Sequence, residues 1–347
     1  MQQALTFNDV LLSPQYSDIS SRSQVSLKAK ITPKIEINFP VTATNMDTIV
    51  DVKMAIAVAK CGSVAFYPRF ATPEIQVKEL KQILDQGFLV IPSVGIKAGE
   101  IQRFDQLVKV GAKAILVDVA HAHQQTCLDF IKTVKKKYPQ IEIIAGAVAT
   151  AQGVQDLFKA GADSVKVGVG PGSACTTRIM TGSGMPQLTA IIEAAKIGKK
   201  FSRPIIADGG MKNSGDVVKA LAAGASAVMS GNLFAGTAET PGEIKIVNDQ
   251  KYKSYNGSAS ATEKKRQYQK NSSEKTAEYT KYVEGLERLV PLRGPVSEVI
   301  EQLDKGIRSG FTYSGAKNIK ELHQKAQFVQ VTSSLLFENQ NREITQL

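Results

Sequence analysis

The sequence predicts an α/β fold in which eight parallel strands alternate with helices and close into a barrel. Helical stretches end in a glycine followed by a short apolar run, as at 111–117, 161–167 and 224–229. Glycine accepts the left-handed conformation that ends a helix, and the apolar run is typical of a strand buried on both faces. Most of these runs begin about 22 to 27 residues after the previous one. This repeat predicts a (β/α)8 TIM barrel, with a long lid excursion after strand 8.

The eight strands are predicted at 41–45, 64–67, 89–94, 114–119, 141–148, 164–169, 204–208 and 227–230. A doubly wound sheet is the alternative, but eight units favour closure of 1–347 as a single domain. Residues 237–290 are polar and lack apolar periodicity, which predicts a solvated excursion or a lid over the barrel mouth. Apolar residues between Val296 and Leu303 predict the last barrel helix, and the tail after about 333 is expected to fray.

Composition narrows the class of protein. Apolar residues make up 43%, enough for a core, and no apolar run is long enough to span a membrane. The N-terminus lacks a signal-peptide pattern, and three cysteines without CxxC spacing argue against a disulfide scaffold, so a cytoplasmic location is expected. The net charge of +11 indicates an anionic partner, either nucleic acid or a phosphorylated metabolite. Aromatic residues, at 6%, are sparse for base stacking, which makes nucleic acid the less favoured partner.

The most informative stretch is GVGPGSACTTR, from Gly168 to Arg178. Its three glycines and one proline predict an unusual backbone that can direct amide and carbonyl groups at an ion or phosphate. Cys175 follows a strand end on this loop, and a helix beginning near Thr176 would favour its thiolate. From the residues alone, a nucleophile and an inert buried cysteine both remain open. Cys61 and Cys127 lie in helical patterns and are expected to be inert.

Other strand ends also carry polar residues. Asp208 ends the seventh strand before two glycines, where it can accept hydrogen bonds from ribose hydroxyls or cap a helix. Gly231-Asn232 follows the eighth strand, where barrels commonly hold phosphate. His121 and His123 follow Asp118, but no further ligand motif supports a metal, so a surface loop is predicted.

These motifs resemble the IMP dehydrogenase/GMP reductase family over nearly the whole chain. The resemblance rests on LTFNDVLLSP at 5–14, NMDT at 45–48, GPGSACTTR at 170–178, ADGGMKNSGDVVKALAAGA at 207–225 and GSAS at 257–260. It implies a (β/α)8 barrel, in agreement with the strand count. It further implies that Cys175 attacks C2 of a purine nucleotide and that Thr177 helps to move protons. Glu284 matches the lid glutamate that relays a proton with Thr177.

The resemblance also implies the binding residues. Substrate would be bound by Asn45, Met46, Ser173, Asp208, Gly209, Gly210, Gly231, Asn232, Tyr255, Gly257, Ser258 and Gly285. Nicotinamide cofactor would be bound by Arg69, Asp118, Val119, Ala120 and Gly168. Potassium would bind the backbone carbonyls of Gly170, Gly172 and Cys175. The family analogy further implies a homotetramer.

Four features resemble the reductase branch, which converts GMP to IMP and ammonia with NADPH. They are NMDT at 45–48, Asp118-Val119-Ala120 in place of Asp-Ser-Ser, and no regulatory domains inserted between strands two and three. Fourth, the lid lacks the adjacent Arg-Tyr pair with which dehydrogenases activate water, because Arg266 is followed by Gln267. A dehydrogenase that oxidises IMP to XMP with NAD remains the alternative.

Three positions depart from the family pattern. Tyr67-Pro68-Arg69 stands where many reductases carry Lys or His after strand two, and Arg69 is expected to supply the positive charge. Ala147 replaces a common Asn after strand five, and Asn232 replaces Ser or Gly at the phosphate position. With the basic lid, these departures leave open a non-catalytic barrel that binds nucleotide or nucleic acid. The intact catalytic positions argue against that third possibility.

Overall fold

A computed structural model of the chain describes residues 3–270, 280–335 and 338. Its strands in chain order are β1 (Val10–Ser13), β2 (Ala29–Lys30), β3 (Glu36–Ile37), β4 (Val41–Ala43), β5 (Ala65–Tyr67), β6 (Val90–Val94), β7 (Ala114–Asp118), β8 (Glu142–Val148), β9 (Ser164–Val167), β10 (Ile205–Asp208), β11 (Ala227–Ser230), β12 (Lys245–Val247), β13 (Gln250–Asn256), β14 (Glu287–Pro291) and β15 (Gln327–Gln330). The eight predicted strands correspond to β4 through β11.

The described helices alternate with these strands. They are α1 (Val52–Lys60), α2 (Pro73–Leu84), α3 (Glu100–Lys109), α4 (Gln125–Lys137), α5 (Ala151–Ala160), α6 (Thr177–Thr181), α7 (Gln187–Phe201), α8 (Ser214–Ala222), α9 (Ala261–Lys270), α10 (Val296–Tyr313) and α11 (Ile319–Lys325). The last barrel helix, α10, runs ten residues beyond the predicted 296–303 stretch. None of the described helices is both long and apolar enough to cross a membrane.

Strands β4 to β11 form a closed barrel in which every neighbouring pair is parallel. Closure is made where β11 pairs with β4, with Val228 opposite Val41. The predicted (β/α)8 fold is confirmed. Nearly every residue of the eight strands is buried, which explains their continuous apolar runs. Only Asp118 and Asp208, the last residues of β7 and β10, are half-buried, and they mark the polar mouth.

Glycines end the barrel helices as the repeat predicts. Gly161 follows α5 with φ +113°, and its N–H donates to carbonyls in the last turn of that helix. Gly224 has φ +106°, and a Cβ there would come 2.4 Å from the Cβ of Ala195 on α7. Each glycine thus permits a left-handed turn, and Gly224 also lets neighbouring helices approach closely.

The excursion after β11 is more ordered than its sequence indicates. Strands β12, β13 and β14 form an antiparallel sheet, in which Tyr255 lies opposite Arg288, and α9 follows β13. The ammonium of buried Lys253 donates to the carbonyl of Ala238 at 3.1 Å and to that of Thr240. Strands β12 and β13 form a hairpin across Asn248-Asp249, whereas β14 pairs with β13 from more than 30 residues away. Most residues of the three strands are exposed, so they show no apolar pattern and sequence periodicity misses this sheet. Residues 271–279 of the predicted lid, and most of the tail after 335, lie outside the described residues.

Candidate active site

A cavity of about 400 Å³ lies at the carboxyl ends of the barrel strands and beneath the excursion. Most of the residues predicted for catalysis and binding line it: Asn45, Met46, Arg69, Asp118, Val119, Ala120, Gly168, Gly170, Gly172, Cys175, Thr177, Asp208, Gly209, Tyr255, Gly257, Ser258 and Glu284. Strand ends contribute one wall and the excursion contributes the other. This is the end of the barrel at which (β/α)8 enzymes place their chemistry.

Five predicted substrate residues lie just outside the cavity lining: Ser173, Gly210, Gly231, Asn232 and Gly285. The hydroxyl of Ser173 is 3.3 Å from Oδ1 of Asn232 and 3.5 Å from the hydroxyl of Tyr255. A Cβ on Gly231 would come 2.9 Å from that same tyrosine hydroxyl. Burial raises the pKa of Tyr255, so its hydroxyl stays protonated and can donate a hydrogen bond. These groups therefore form a polar corner behind the cavity wall.

Cys175, Thr177 and Glu284 form a continuous hydrogen-bonded chain. The thiol of Cys175 donates to the hydroxyl of Thr177 at 3.2 Å, and that hydroxyl donates to the Glu284 carboxylate at 2.8 Å. All three side chains face the cavity. A thiol connected through a hydroxyl to a carboxylate has a route by which its proton can leave as it attacks. Helix α6 begins at Thr177, but it spans only five residues.

Backbone contacts bring Glu284 to this position from a distant part of the sequence. Gly285 forms an isolated antiparallel bridge with Cys175. Thr176 N donates to the carbonyl of Glu284 at 3.1 Å, and Leu286 N donates to that of Ala174 at 2.9 Å. The segment 284–286 is thus paired to the cysteine loop like a short strand. The carboxylate is placed by main-chain pairing and does not depend on side-chain contacts alone.

Charged side chains cross the floor of the cavity in a row. Lys166 on β9 lies 2.6 Å from Asp208 and 3.4 Å from Asp118, and Arg69 lies 3.9 Å from Asp118. The Lys166 side chain is only 5% exposed. Burial alone would lower its pKa, but the carboxylates of Asp208 and Asp118 outweigh burial and raise the pKa, so it remains an ammonium. The row connects the predicted ribose side to the predicted nicotinamide side.

The loop that carries Arg69 is held by buried polar groups. The guanidinium of Arg103, which is 1% exposed, donates to the carbonyls of Arg69 at 3.2 Å and of Ala71 at 3.0 Å. The side-chain amide of Gln76 donates to the Pro68 carbonyl at 2.9 Å. These bonds fix the Tyr67-Pro68-Arg69 turn, which differs from the family pattern, so that Arg69 faces Asp118.

Sequence reasoning missed two cationic residues that line the cavity, Lys166 and Lys264. A signal for Lys166 exists, because a lysine inside the apolar run VKV requires a buried partner. Lys264 lies in the basic stretch EKKRQYQK, where no sequence pattern distinguishes it from its exposed neighbours.

The other cysteines and the histidines lie apart from this chemistry. Cys127 on α4 is buried, and burial raises the pKa of its thiol to about 12, which keeps it protonated. Cys61 follows α1 and is half-buried. His123 is hydrogen-bonded to Asp156 at 3.0 Å, and His121 is exposed.

Replacing Lys166 with Met should destabilise the protein, because Asp208 and Asp118 would be left without their shared cation. Breaking a buried pair from one side costs about 3–5 kcal/mol, and the partial exposure of both carboxylates favours the lower end. Denaturant unfolding measures this change. Lys196→Met, which breaks the exposed 2.6 Å pair with Glu193, is the matched control and should cost under about 1 kcal/mol. Equal effects of the two variants would contradict the assigned role.

The fold is a closed parallel barrel, and a cysteine, a threonine hydroxyl and a carboxylate are hydrogen-bonded in series at the carboxyl ends of its strands. Together these features define an enzyme of the (β/α)8 class. Residues 4–342 match the IMP dehydrogenase / GMP reductase domain. The chain belongs to that family, whose members are oxidoreductases acting on purine nucleotides with nicotinamide cofactors.

Proteins similar to this chain include both IMP dehydrogenases and a GMP reductase. The inosine-5'-monophosphate dehydrogenase of Borreliella burgdorferi is 36% identical, over 99% of this chain and 98% of the relative. That of Nitrosopumilus maritimus is 33% identical, over 99% of both chains. A Trypanosoma brucei GMP reductase, solved with guanosine 5'-monophosphate, has a TM-score of 0.92 and 27% identity over 99% of both chains. These similarities establish the family but do not distinguish the dehydrogenase reaction from the reductase reaction.

Proposed function

We propose that the protein is a GMP reductase, which converts GMP to IMP and ammonia with NADPH through a covalent bond between Cys175 and the purine. One observation carries the choice between the two branches. Among the described residues of the excursion, the charged ones that line the cavity are Lys264 and Glu284, and no arginine of the excursion lines it. Arg266 lines a different cavity, together with Arg288. A site that ends its reaction by hydride transfer needs no arginine to activate water.

The first half of the reaction uses the hydrogen-bonded chain. As the Cys175 sulfur bonds to C2 of GMP, its proton passes through Thr177 to Glu284. The bond between C2 and the exocyclic amine then breaks, and the amine takes a proton back along the same route. The amine's two hydrogens and the thiol's one make up the ammonia that leaves, and the purine stays attached to sulfur.

The second half needs a hydride. Asp118, Val119 and Ala120 would hold a reduced nicotinamide, which when bound would supply that hydride to C2. The C2–S bond would then break with its electrons going to sulfur, and IMP would be released. The Cys175 thiolate would then take up the one proton that the overall reaction consumes, which would enter from solvent and pass through Glu284 and Thr177. Asp208, with the polar corner of Ser173, Asn232 and Tyr255, would hold the ribose and phosphate throughout.

Potassium is implied by the resemblance, on the carbonyls of Gly170, Gly172 and Cys175. Carbonyl oxygens are suitable ligands for that ion. The Gly172 carbonyl already accepts a hydrogen bond from Cys175 N at 3.0 Å. The side chain of Arg178 lies against Gly170, where an added Cβ would come 2.6 Å from its Cγ, and its guanidinium donates to the Val169 carbonyl at 3.4 Å. The guanidinium of Arg178 thus already places a positive charge beside this loop.

The decisive experiment is to assay the purified protein with GMP and NADPH, and separately with IMP and NAD, while following nicotinamide absorbance. We expect NADPH to be consumed and ammonia to appear in equal amounts. Turnover of IMP and NAD alone would establish the dehydrogenase, which the names of the sequence relatives favour. No turnover, with RNA binding that weakens steeply with salt, would support the non-catalytic barrel. The homotetramer and the cytoplasmic location stay proposals.

A further inference from the structure

Lys264 is placed unlike the two basic residues that follow it in its helix. It lies in the first turn of α9 and is 8% exposed, whereas Lys265 and Arg266 beside it are exposed. Its side chain lines the same cavity as Cys175 and Glu284. A lysine is rarely buried unless its ammonium is paired, so this position calls for an explanation.

The surroundings of Lys264 provide the pairing. Its ammonium donates to the carbonyl of Tyr282, two residues before Glu284. Burial lowers the pKa of Lys264, the Glu284 carboxylate opposes that effect, and Lys97, from the loop after β6, adds to it. The ammonium is therefore held by the carbonyl of Tyr282, just before the segment that pairs with the cysteine loop, and the Glu284 carboxylate lies near enough for the two charges to attract.

This arrangement extends the chain that begins at the thiol. Glu284 accepts from Thr177 at 2.8 Å, and the Lys264 ammonium is bonded to the backbone two residues before it, in the lining of the same cavity. A half-buried carboxylate is less costly to keep charged when a cation lies nearby. A carboxylate whose neighbouring backbone is anchored by an ammonium also has fewer orientations, so its acceptor oxygen stays aimed at the hydroxyl.

We propose that Lys264 is a positioning residue for the proton relay. Its ammonium fixes the backbone just before Glu284 through the Tyr282 carbonyl and adds a positive charge to the same cavity, so that the Glu284 carboxylate stays against the Thr177 hydroxyl. Lys264 acts through Glu284 and takes no proton from the substrate itself. This inference rests on the proposed function insofar as the relay serves bond formation at Cys175. That step is common to the reductase and dehydrogenase reactions, so the test can follow either one.

The test compares three substitutions by steady-state kinetics. Lys264→Met should lower kcat about 10- to 100-fold, the range for losing one hydrogen bond to a charged group, and change KM for the nucleotide less than about threefold. Lys264→Arg should restore most of kcat because it keeps the cation. Lys264→Gln, which keeps a donor for the Tyr282 carbonyl but no charge, should stay low. Lys265→Met is the matched control on the exposed face of α9 and should behave as wild type.

A double variant separates positioning from general destabilisation. If Lys264 acts only through Glu284, then Lys264→Met should cost little further activity in a Glu284→Gln background. Additive losses, full activity of Lys264→Gln, or an unchanged kcat in Lys264→Met would each overturn the inference. If the wild-type enzyme turns over IMP and not GMP, the proposed function fails while this comparison is still made on the dehydrogenase reaction. If neither nucleotide reacts, both proposals are wrong.

Discussion

The Cys175→Ala variant should show no measurable turnover while still binding nucleotide. Removing a nucleophile costs on the order of 10⁶-fold in kcat, and among the residues that the structure describes no other cysteine lines the cavity. The half-buried thiol lines the cavity wall, so its replacement by a methyl group removes the reacting atom and little of the binding surface. Stopped nicotinamide consumption, with nucleotide affinity measured by calorimetry, tests both parts.

Mass spectrometry tests directly whether the covalent bond to Cys175 forms. Wild-type protein incubated with the nucleotide and then denatured should carry a purine adduct on Cys175, and the alanine variant should carry none. Cys61→Ala is the matched control, since Cys61 lies outside the cavity lining and should leave both turnover and adduct intact. Turnover that survives in Cys175→Ala would show that the reaction has another nucleophile, and the covalent mechanism would be abandoned.

The Glu284→Gln variant should slow ammonia release by about 10²- to 10⁴-fold, the range for loss of a general acid–base group. Glutamine keeps the shape and can still meet Thr177 at the observed 2.8 Å separation, but it cannot carry the proton. Nucleotide affinity should change little, because the backbone pairing of 284–286 with the cysteine loop does not involve the carboxylate. Single-turnover measurement of released ammonia isolates this step from the hydride transfer.

The control for this prediction lies three residues further along the chain, at the first residue of β14. Glu287→Gln changes an exposed carboxylate that accepts from Thr262 N at 2.8 Å, outside the lining of the active-site cavity. It should retain normal rates. If Glu284→Gln releases ammonia as fast as wild type, the relay through Thr177 and Glu284 is wrong, whatever the fate of the covalent bond at Cys175.

The barrel could be predicted because its information is local. A left-handed glycine such as Gly161 ends a helix through its own φ, and an apolar run of four to seven residues is buried wherever it lies in a parallel sheet. Cys175 could be singled out for a similar reason, since a cysteine on a glycine-rich loop at a strand end is visible in eleven consecutive residues. Whether that cysteine is a nucleophile could not be inferred from the loop alone.

The rest of the active site is determined by contacts between residues that are far apart in the sequence. Glu284 reaches Thr177, 107 residues earlier in the chain, only because the 284–286 segment pairs with the cysteine loop. Lys166 and Asp208, 42 residues apart, become partners because β9 and β10 are neighbours in the barrel. Lys264 is buried while Lys265 is exposed, a difference set by the packing of α9 over the cavity. Charge interactions weaken with distance and are largely screened beyond about 10 Å, so their partners are defined by folded distances that spacing along the chain does not contain.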